Sequence, residues 1–218
     1  MNDMQSPARP VRPKDAASLI ILRGSGPEAE ILMGRRAPRH KFMPHMYVFP
    51  GGRLDAADMT APVRSGLDKR PRDYLNLQVG AEKGQGLGVA AARETWEETG
   101  LIFGDVNQQD FTAELSGIDY LARAITPPDS PIRFHARFFV VEAERALGGA
   151  DAPIGGSGEL LDLAWRPLQE CLMLPVADVT EFMLEEVLRR QRGTAIEAVP
   201  LFSYKNGAPN IRYQRLVP

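Results

Sequence analysis

Short apolar runs, separated by polar or glycine-containing turns, recur along the chain. Runs of aliphatic and aromatic residues that end at such turns predict β-strands. The predicted strands are residues 16–22, 30–36, 46–49, 133–141 and 159–166. Near the C-terminus, two more strand patterns flank Asn206-Gly207, a pair that favours the tight turn of a β-hairpin.

Two segments have the period of a helix instead. Residues 87–99 are followed by Gly100, which suits the left-handed conformation just after a helix. Residues 178–192 begin at Asp178 with Glu181 three positions later, the arrangement of a capping box. Because strands and helices are mixed along the chain without a repeat, the sequence predicts a single domain of the α/β or α+β class.

Composition limits the class of protein and its partners. The 218 residues are enough for one domain with a sizeable core, and the net charge of −2 gives no sign of a nucleic-acid partner. No apolar run is long enough for a membrane span or a signal peptide, so we expect no membrane partner and take the cytoplasm as the default location. One cysteine, Cys171, excludes an internal disulfide.

The domain boundaries follow from the N-terminal composition. Residues 1–14 are polar and contain three prolines, so we predict a disordered tail there and a single domain over 15–218. The oligomeric state stays open between monomer and homodimer.

Three glutamates share one face of the helix predicted at 87–99. With Glu94 set at zero and about 100° per residue, Glu97 and Glu98 fall at about −60° and +40°. The opposite face carries mostly apolar residues, namely Val89, Ala92, Trp96 and Thr99. We therefore expect the apolar face to pack on a sheet and the acidic face to point away from the core.

The position of these glutamates is unfavourable for a purely structural helix. They repel one another at i,i+3 and i,i+4, and they stand in the last turns, where the helix dipole disfavours anions. The helix at 178–192 has the favourable order, with acids first and arginines last. A bound divalent cation would reverse the cost, and three carboxylates suit Mg²⁺ or Mn²⁺ better than zinc. A solvated acidic face is the alternative interpretation.

Two segments resemble the halves of a known motif. Residues 93–101, Arg-Glu-Thr-Trp-Glu-Glu-Thr-Gly-Leu, resemble the second half of the Nudix box, R-E-U-x-E-E-x-G-U, in which U is aliphatic. Residues 52–58, Gly-Arg-Leu-Asp-Ala-Ala-Asp, resemble its first half, G-x5-E, and follow a common Phe-Pro-Gly lead-in. The chain thus resembles the Nudix hydrolases, and the resemblance implies an α/β/α sandwich around a mixed β-sheet.

The resemblance and the surrounding charges give candidates for each role. The candidate metal ligands are Glu94, Glu97, Glu98 and Asp58. The candidate catalytic residues, including the general base, are Arg93, Glu97, Glu98 and Glu159. The candidates for phosphate binding are Gly51, Gly52, Arg36, Arg133 and Arg137. Asp58 stands where the family has a glutamate, and Asp55 competes with it for that place.

The implied activity is Mg²⁺- or Mn²⁺-dependent cleavage of a diphosphate linkage in a nucleoside diphosphate derivative. Coenzyme A or an acyl-CoA, a nucleotide sugar and a dinucleotide are the open alternatives for the substrate. The rival interpretation is a non-catalytic Nudix module that binds a nucleotide and regulates a partner. Such modules typically lose box carboxylates, and the three helix glutamates favour the enzyme.

The box is interrupted by an insertion at about residues 59–86. Inserted boxes resemble the branch that includes coenzyme A diphosphatases, and Arg36-Ala37 stands where that branch carries an arginine motif. A surface loop tolerates such added length at little cost in free energy. We therefore expect the insertion to loop out beside the active site and to shape the entry of the substrate.

Overall fold

Nine strands form one mixed sheet and three more form a small second sheet in the computed structural model, which describes residues 11–39, 43–108, 110–195 and 197–216. The strands are β1 (Lys14–Arg23), β2 (Glu30–Arg36), β3 (Tyr47–Val48), β4 (Gly51–Arg53), β5 (Val63–Ser65), β6 (Gly104–Asn107), β7 (Asp110–Glu114), β8 (Asp119–Ile125), β9 (Phe134–Glu142), β10 (Leu160–Pro167), β11 (Val199–Lys205) and β12 (Ala208–Gln214). The helices are α1 (Ala56–Thr60), α2 (Lys69–Val79), α3 (Ala81–Thr99), α4 (Leu168–Cys171) and α5 (Asp178–Gln191).

The large sheet has the order β10-β2-β1-β9-β8-β11-β12, with β3 paired to β2 and β4 paired to β1. The β1–β9 and β8–β11 pairs are parallel and the others are antiparallel. Helix α3 packs against β1, and α5 packs against β8. The α/β/α sandwich around a mixed sheet, predicted from the sequence, is confirmed.

Each face of the large sheet carries its own hydrophobic core. The α3 core includes Leu19, Ile21, Leu75, Leu87, Tyr120 and Phe139. The α5 core includes Ile20, Leu22, Leu121, Phe138, Leu184 and Val187. Strand β1 supplies both cores alternately, which explains the continuous apolar run from Leu19 to Leu22: a central strand is buried on both faces.

The segment 104–125 contains three strands that the sequence analysis did not predict. In β8 the register shifts between Tyr120 and Ala122. As a result Tyr120 belongs to the α3 core, whereas Leu121 and Ala122 both belong to the α5 core. Such a bulge breaks the alternation on which strand prediction depends.

Helix α3 begins at Ala81, six residues before its predicted start, and this corrects the sequence analysis. Two glycines, normally poor helix formers, lie in the added turns, and a third, Gly88, lies just inside the predicted helix. A Cβ would lie 3.0 Å from Leu75 at Gly84, 3.2 Å from Met59 at Gly86, and 3.2 Å from a Leu115 methyl at Gly88. The glycines are therefore the points at which neighbouring elements approach the helix closely.

The insertion at about 59–86 is folded, and this too differs from the expected loop. It contains the end of α1, β5, α2 and the first turns of α3. Tyr74 and Leu75 of α2 are buried in the α3 core. The insertion therefore adds to the hydrophobic core, and the apolar positions that do so are too few to stand out in a polar segment.

The first described strand begins close to the predicted domain boundary. Strand β1 starts at Lys14, so the domain begins one residue before the predicted boundary, and residues 1–10 of the predicted tail lie outside the described residues. No described helix combines the length and the apolar character needed to cross a bilayer.

Replacing Leu75 with alanine should lower the free energy of unfolding by about 2–5 kcal/mol, because the change leaves a cavity in the α3 core. Leu77, on the same helix, is 63% exposed and serves as the matched control. Its replacement by alanine should change stability by about 0.5 kcal/mol or less. Urea denaturation of the two variants measures the difference, and equal losses would contradict a core role for the insertion.

Candidate functional site

A cleft of about 600 Å³ lies beside the C-terminal half of α3. Its charged lining residues are Arg36, Arg53, Asp55, Arg93, Glu94, Glu97, Glu98 and Glu159. Its apolar lining residues include Phe49, Phe134, Phe138, Val179, Phe202 and Tyr204. The cleft thus has a charged half next to α3 and an apolar half formed by β9, β11 and the start of α5.

The insertion does not reach this cleft. Every residue from 59 to 86 is described, and none of them is in the cleft lining. Helix α2 contacts α3 and β8 instead. Met59 and Lys83 of the insertion nevertheless line a neighbouring pocket that shares Arg53 and Asp55 with the cleft. The expectation that the insertion shapes substrate entry therefore stays a prediction.

Glu98 is the most buried acid in the cleft, with 6% of its surface exposed. Its Oε2 accepts a hydrogen bond of 2.8 Å from the backbone N–H of Gly51. The pKa of Glu98 is raised to about 8: burial is the main cause, the nearby Glu94 and Glu159 also raise it, and the Gly51 N–H and Arg36 lower it. Glu98 therefore faces a desolvated pocket. The alternative interpretation of a solvated acidic face does not describe this residue.

Glu94 lies one turn before Glu98 and also lines the cleft. Burial raises the pKa of Glu94, and Glu97 adds to the increase, whereas Arg93 opposes it. The two carboxyl groups are thus held close together in a site that disfavours their charge. This arrangement is typical of a functional site.

Gly51 and Gly52 each lie where a side chain would collide with a neighbouring element, β1 for Gly51 and α3 for Gly52. Gly51 has φ 151°, and a Cβ there would lie 2.6 Å from the Ser18 Cα. A Cβ at Gly52 would overlap the carboxylate of Glu94. Both glycines line the cleft, and the Gly51 N–H is bonded to Glu98. Their predicted role of letting phosphates approach the backbone stays a prediction.

Asp58 is a structural partner of Arg93 rather than part of the cleft wall. It is 3% exposed, its Oδ1 accepts from Arg93 Nε at 2.8 Å, and its Oδ2 accepts from Arg93 Nη2 at 3.1 Å and from the Asp55 N–H at 2.8 Å. Burial opposes the charge on Arg93, but the bond to Asp58 and the neighbouring glutamates raise its pKa overall. The structure thus contradicts the prediction of Asp58 as a metal ligand, because its oxygens are already bonded, and it places Asp55 in the cleft instead.

Glu97 is the most exposed of the three helix glutamates, with 45% of its side chain accessible. Arg93 Nη1 donates to both of its carboxylate oxygens, at 3.1 and 3.2 Å. Within the described residues, no three acidic, histidine or cysteine side chains already converge as a metal site. On this helix, the carboxylate of Glu97 is paired with Arg93.

Arg36 and Glu159 lie together at the other side of the charged half. Burial lowers the pKa of Arg36, and the charges of Glu98 and Glu159 oppose this effect. The Ala37 N–H donates to the Glu159 carbonyl at 3.2 Å, so the ends of β2 and β10 fix both residues. The structure therefore brings these two sequence-predicted residues to the glutamates of α3.

Arg133 and Arg137 do not line the cleft, which corrects their predicted role. Arg133 donates to the carbonyls of Val11 and Thr126 at 2.7 and 3.1 Å. Arg137 is 1% exposed and is bonded to Asp15. Since side chains alternate along β9, it is the apolar set at Phe134 and Phe138 that faces the cleft.

The chain has three histidines, which lie near the glycine turn and on β9. His40 lies outside the described residues. His45 is not in the cleft lining, and neither is His135. Burial lowers the pKa of His135 to about 4, so it is neutral beside Arg137.

Several lining residues were not predicted at all, among them Arg53, Phe202 and Tyr204. Phe202 and Tyr204 lie two residues apart on a predicted strand, so the sequence does place them on one face. What it does not show is that β11 lies parallel to β8 and turns that face toward the cleft. Because β8 and β11 are parallel, a long crossover connection must join them, and the position of β11 cannot be read from local sequence.

Comparison with known proteins identifies the fold. No protein-family model matches the sequence. No curated protein matches it either. Solved structures do match the fold, and they include a NUDIX hydrolase from Alicyclobacillus acidocaldarius with 24% identity and a TM-score of 0.59 over 80% of this chain and 90% of that chain.

Two further matches agree with the first. The NUDIX domain of Shewanella oneidensis NrtR, solved with ADP ribose, has 14% identity and a TM-score of 0.52 over 87% of this chain and 99% of that chain. A MutT protein from Methanosarcina mazei Go1 has 17% identity and a TM-score of 0.51 over 86% and 99%. The chain has the Nudix fold, as the motif predicted.

Replacing Asp58 with alanine should lower the free energy of unfolding by about 1–3 kcal/mol without added metal, because the buried side of Arg93 loses its charged partner. Replacing Glu97 with alanine is the matched control, since it removes a more exposed partner of the same arginine at a cost of about 1 kcal/mol or less. Denaturant titration with a chelator present measures both. A larger loss of stability for the Glu97 variant would contradict the assignment of Asp58 as the main structural partner of Arg93.

Proposed function

We propose that this chain is a Nudix hydrolase that cleaves the diphosphate linkage of a nucleoside diphosphate derivative with the help of Mg²⁺ or Mn²⁺. The observation that supports this most directly is the pair Glu94 and Glu98, one helical turn apart in the buried wall of the cleft. Two carboxylates in a desolvated site repel each other, and a divalent cation would remove that cost. The Nudix fold supports the same conclusion.

The donor chemistry of the site fits such a cation. Glu94, Glu97 and Glu98 supply only oxygen, which is the ligand that Mg²⁺ and Mn²⁺ prefer. We assign these three to the metal, with Glu97 exchanging its bond to Arg93 for the cation. When bound, the cation supplies charge for the phosphate oxygens and lowers the pKa of a water molecule.

The reaction that fits these groups is attack of water on one phosphorus, with cleavage of the P–O–P bond into two phosphate products. Arg36 and Arg53 stand in the charged half of the cleft and can bind phosphate oxygens. A carboxylate takes the proton of the attacking water. Glu97, Glu98 and Glu159 are the candidates for this general base.

The apolar half of the cleft suggests how the rest of the substrate is held. Its aromatic residues form two edge-to-face pairs, Phe49 with Phe138 and Phe202 with Tyr204. We assign this half to the planar or apolar part of the substrate, such as a nucleobase. Coenzyme A and acyl-CoA, nucleotide sugars and dinucleotides all carry a base joined to a diphosphate, so each belongs in the substrate panel.

We propose that the protein is a monomer or homodimer in the cytoplasm.

A panel of such diphosphates, assayed with Mg²⁺ and with Mn²⁺ and scored by product mass, tests the activity. We expect cleavage only with metal, and we expect Glu98→Gln to lower kcat by about 100-fold or more, as loss of a group that acts on the reacting atoms does. Glu82→Gln, at the exposed start of the same helix, is the control and should keep wild-type activity. Binding of a nucleotide without any cleavage would favour the regulatory module instead.

Replacing Phe134 with alanine should raise KM for the best substrate by about 10-fold while kcat changes little, because contacts to a remote group stabilise bound substrate and transition state equally. Phe111→Ala is the matched control, since Phe111 is similarly half-buried but stacks on Trp96 outside the cleft. Steady-state kinetics of both variants decide. An unchanged KM for Phe134→Ala would contradict the assignment of part of the substrate to the apolar half of the cleft.

A further inference from the structure

A glycine-rich segment, Gly155-Gly156-Ser157-Gly158, lies on the C-terminal end of α3. Its composition is that of a flexible linker. In the structure, however, the Gly155 N–H donates to the Thr99 carbonyl at 2.8 Å, and the Ser157 N–H donates to the Glu97 carbonyl at 3.1 Å. These bonds satisfy two of the carbonyl groups that a helix leaves without an internal partner. The segment is therefore a cap of α3, and we refer to it as the capping segment.

Gly156 has a steric reason to be glycine. A Cβ at this position would overlap the carbonyl oxygen and carbon of Glu98 and would lie 3.0 Å from the Thr99 nitrogen. The neighbouring Gly155 differs, because a Cβ there would have nothing within 4 Å. Neither residue has a positive φ. The two glycines are thus adjacent, but only Gly156 lies so close to the helix that a Cβ would collide with it.

The capping segment leads directly into the cleft. Three residues after Gly156, Glu159 lines the cleft at the start of β10. The pairing of Leu160 with Arg36 fixes that end of the segment. A shift of Gly156 away from Glu98 therefore moves the backbone of a cleft acid on each side.

The charge of the site gives the cap a second effect. The carboxylates of α3 collect at the negative end of the helix dipole, where anions are disfavoured. Two N–H groups placed on the last carbonyls offset part of that negative potential. A cap at this end thus lowers the cost of holding the acids together.

We propose that Gly156 is a positioning residue, whose close backbone contact with Glu98 holds the glutamates of α3 and Glu159 in register for the cation and the substrate. The proposal rests on the proposed function, since it assigns a role within the same site. Gly156 itself contacts neither the cation nor the substrate. It acts through the main chain of Glu98.

Two alanine variants of the full chain, Gly156→Ala and Gly155→Ala, test the proposal. For Gly156→Ala we expect kcat for the best substrate of the panel to fall by about 10- to 100-fold, as displacement of a reacting group by about 1 Å does. The affinity for Mn²⁺ alone, measured by calorimetry without substrate, should fall about 10-fold for the same reason. Because the segment is an exposed loop, the melting temperature without metal should fall by only a few degrees. Gly155→Ala should match the wild type in all three measurements.

A second variant covers the case in which Gly156→Ala does not fold. Inserting one glycine between Gly156 and Ser157 adds no side chain, but it moves the Ser157 N–H off the Glu97 carbonyl. Exposed loops tolerate such an insertion. We expect the same losses of kcat and Mn²⁺ affinity.

The outcomes distinguish a failure of the positioning role of Gly156 from a failure of the proposed function. A wild-type protein that cleaves its substrate and binds Mn²⁺, with variants that keep both properties, would overturn the positioning role and leave the proposed function intact. A fall in melting temperature with unchanged kcat and Mn²⁺ affinity would also overturn it, because the cap would then be only structural. A wild-type protein that neither binds Mn²⁺ nor cleaves any member of the panel would overturn the proposed function, and the positioning role with it.

Discussion

Repulsion among the carboxylates at the C-terminal end of α3 is the constraint on which the rest of the site depends. Glu94 and Glu98 stand one turn apart in a desolvated wall, and the helix dipole adds to the cost of their charge. The surrounding groups each reduce that cost: Arg93 pairs with Glu94 and Glu97, and the Gly51 N–H binds Glu98. An acidic cluster of this kind persists only where other parts of the fold hold it in place.

Close approach of backbone to α3 is the means by which the fold does this. The turn at Gly51 and Gly52 reaches the glutamates from β4, and the segment at Gly156 reaches the helix end from the side of β10. At both places a side chain would occupy the space that a carboxylate or a carbonyl needs. The two contacts come from chain segments about a hundred residues apart, so the helix end is held between distant parts of the fold.

The two faces of the large sheet have different roles: one packs the core with α2 and α3, and the other faces the cleft. On one face, the insertion helix α2 packs with α3 and buries Leu75 in the core. The other face turns the aromatic side of β9 and β11 toward the cleft, with Phe134 and Phe202 in its wall. Helix α3 takes part in both, since its apolar side faces the sheet and its glutamates face the cleft. Cations such as Arg137 fall on the structural face for the same geometric reason.

The sequence by itself determined the Nudix fold and the glutamates of α3, because a helical period, a reversed charge order and the spacing of a motif are local properties of the chain. It also placed Phe202 and Tyr204 on one face of a strand. The tertiary structure decided that Asp58 binds Arg93, that Arg137 faces Asp15, and that the insertion is part of the core. Each of these depends on which strands pair and which face of the sheet a residue reaches. Contacts between residues far apart in the chain decide both, and no local pattern encodes them.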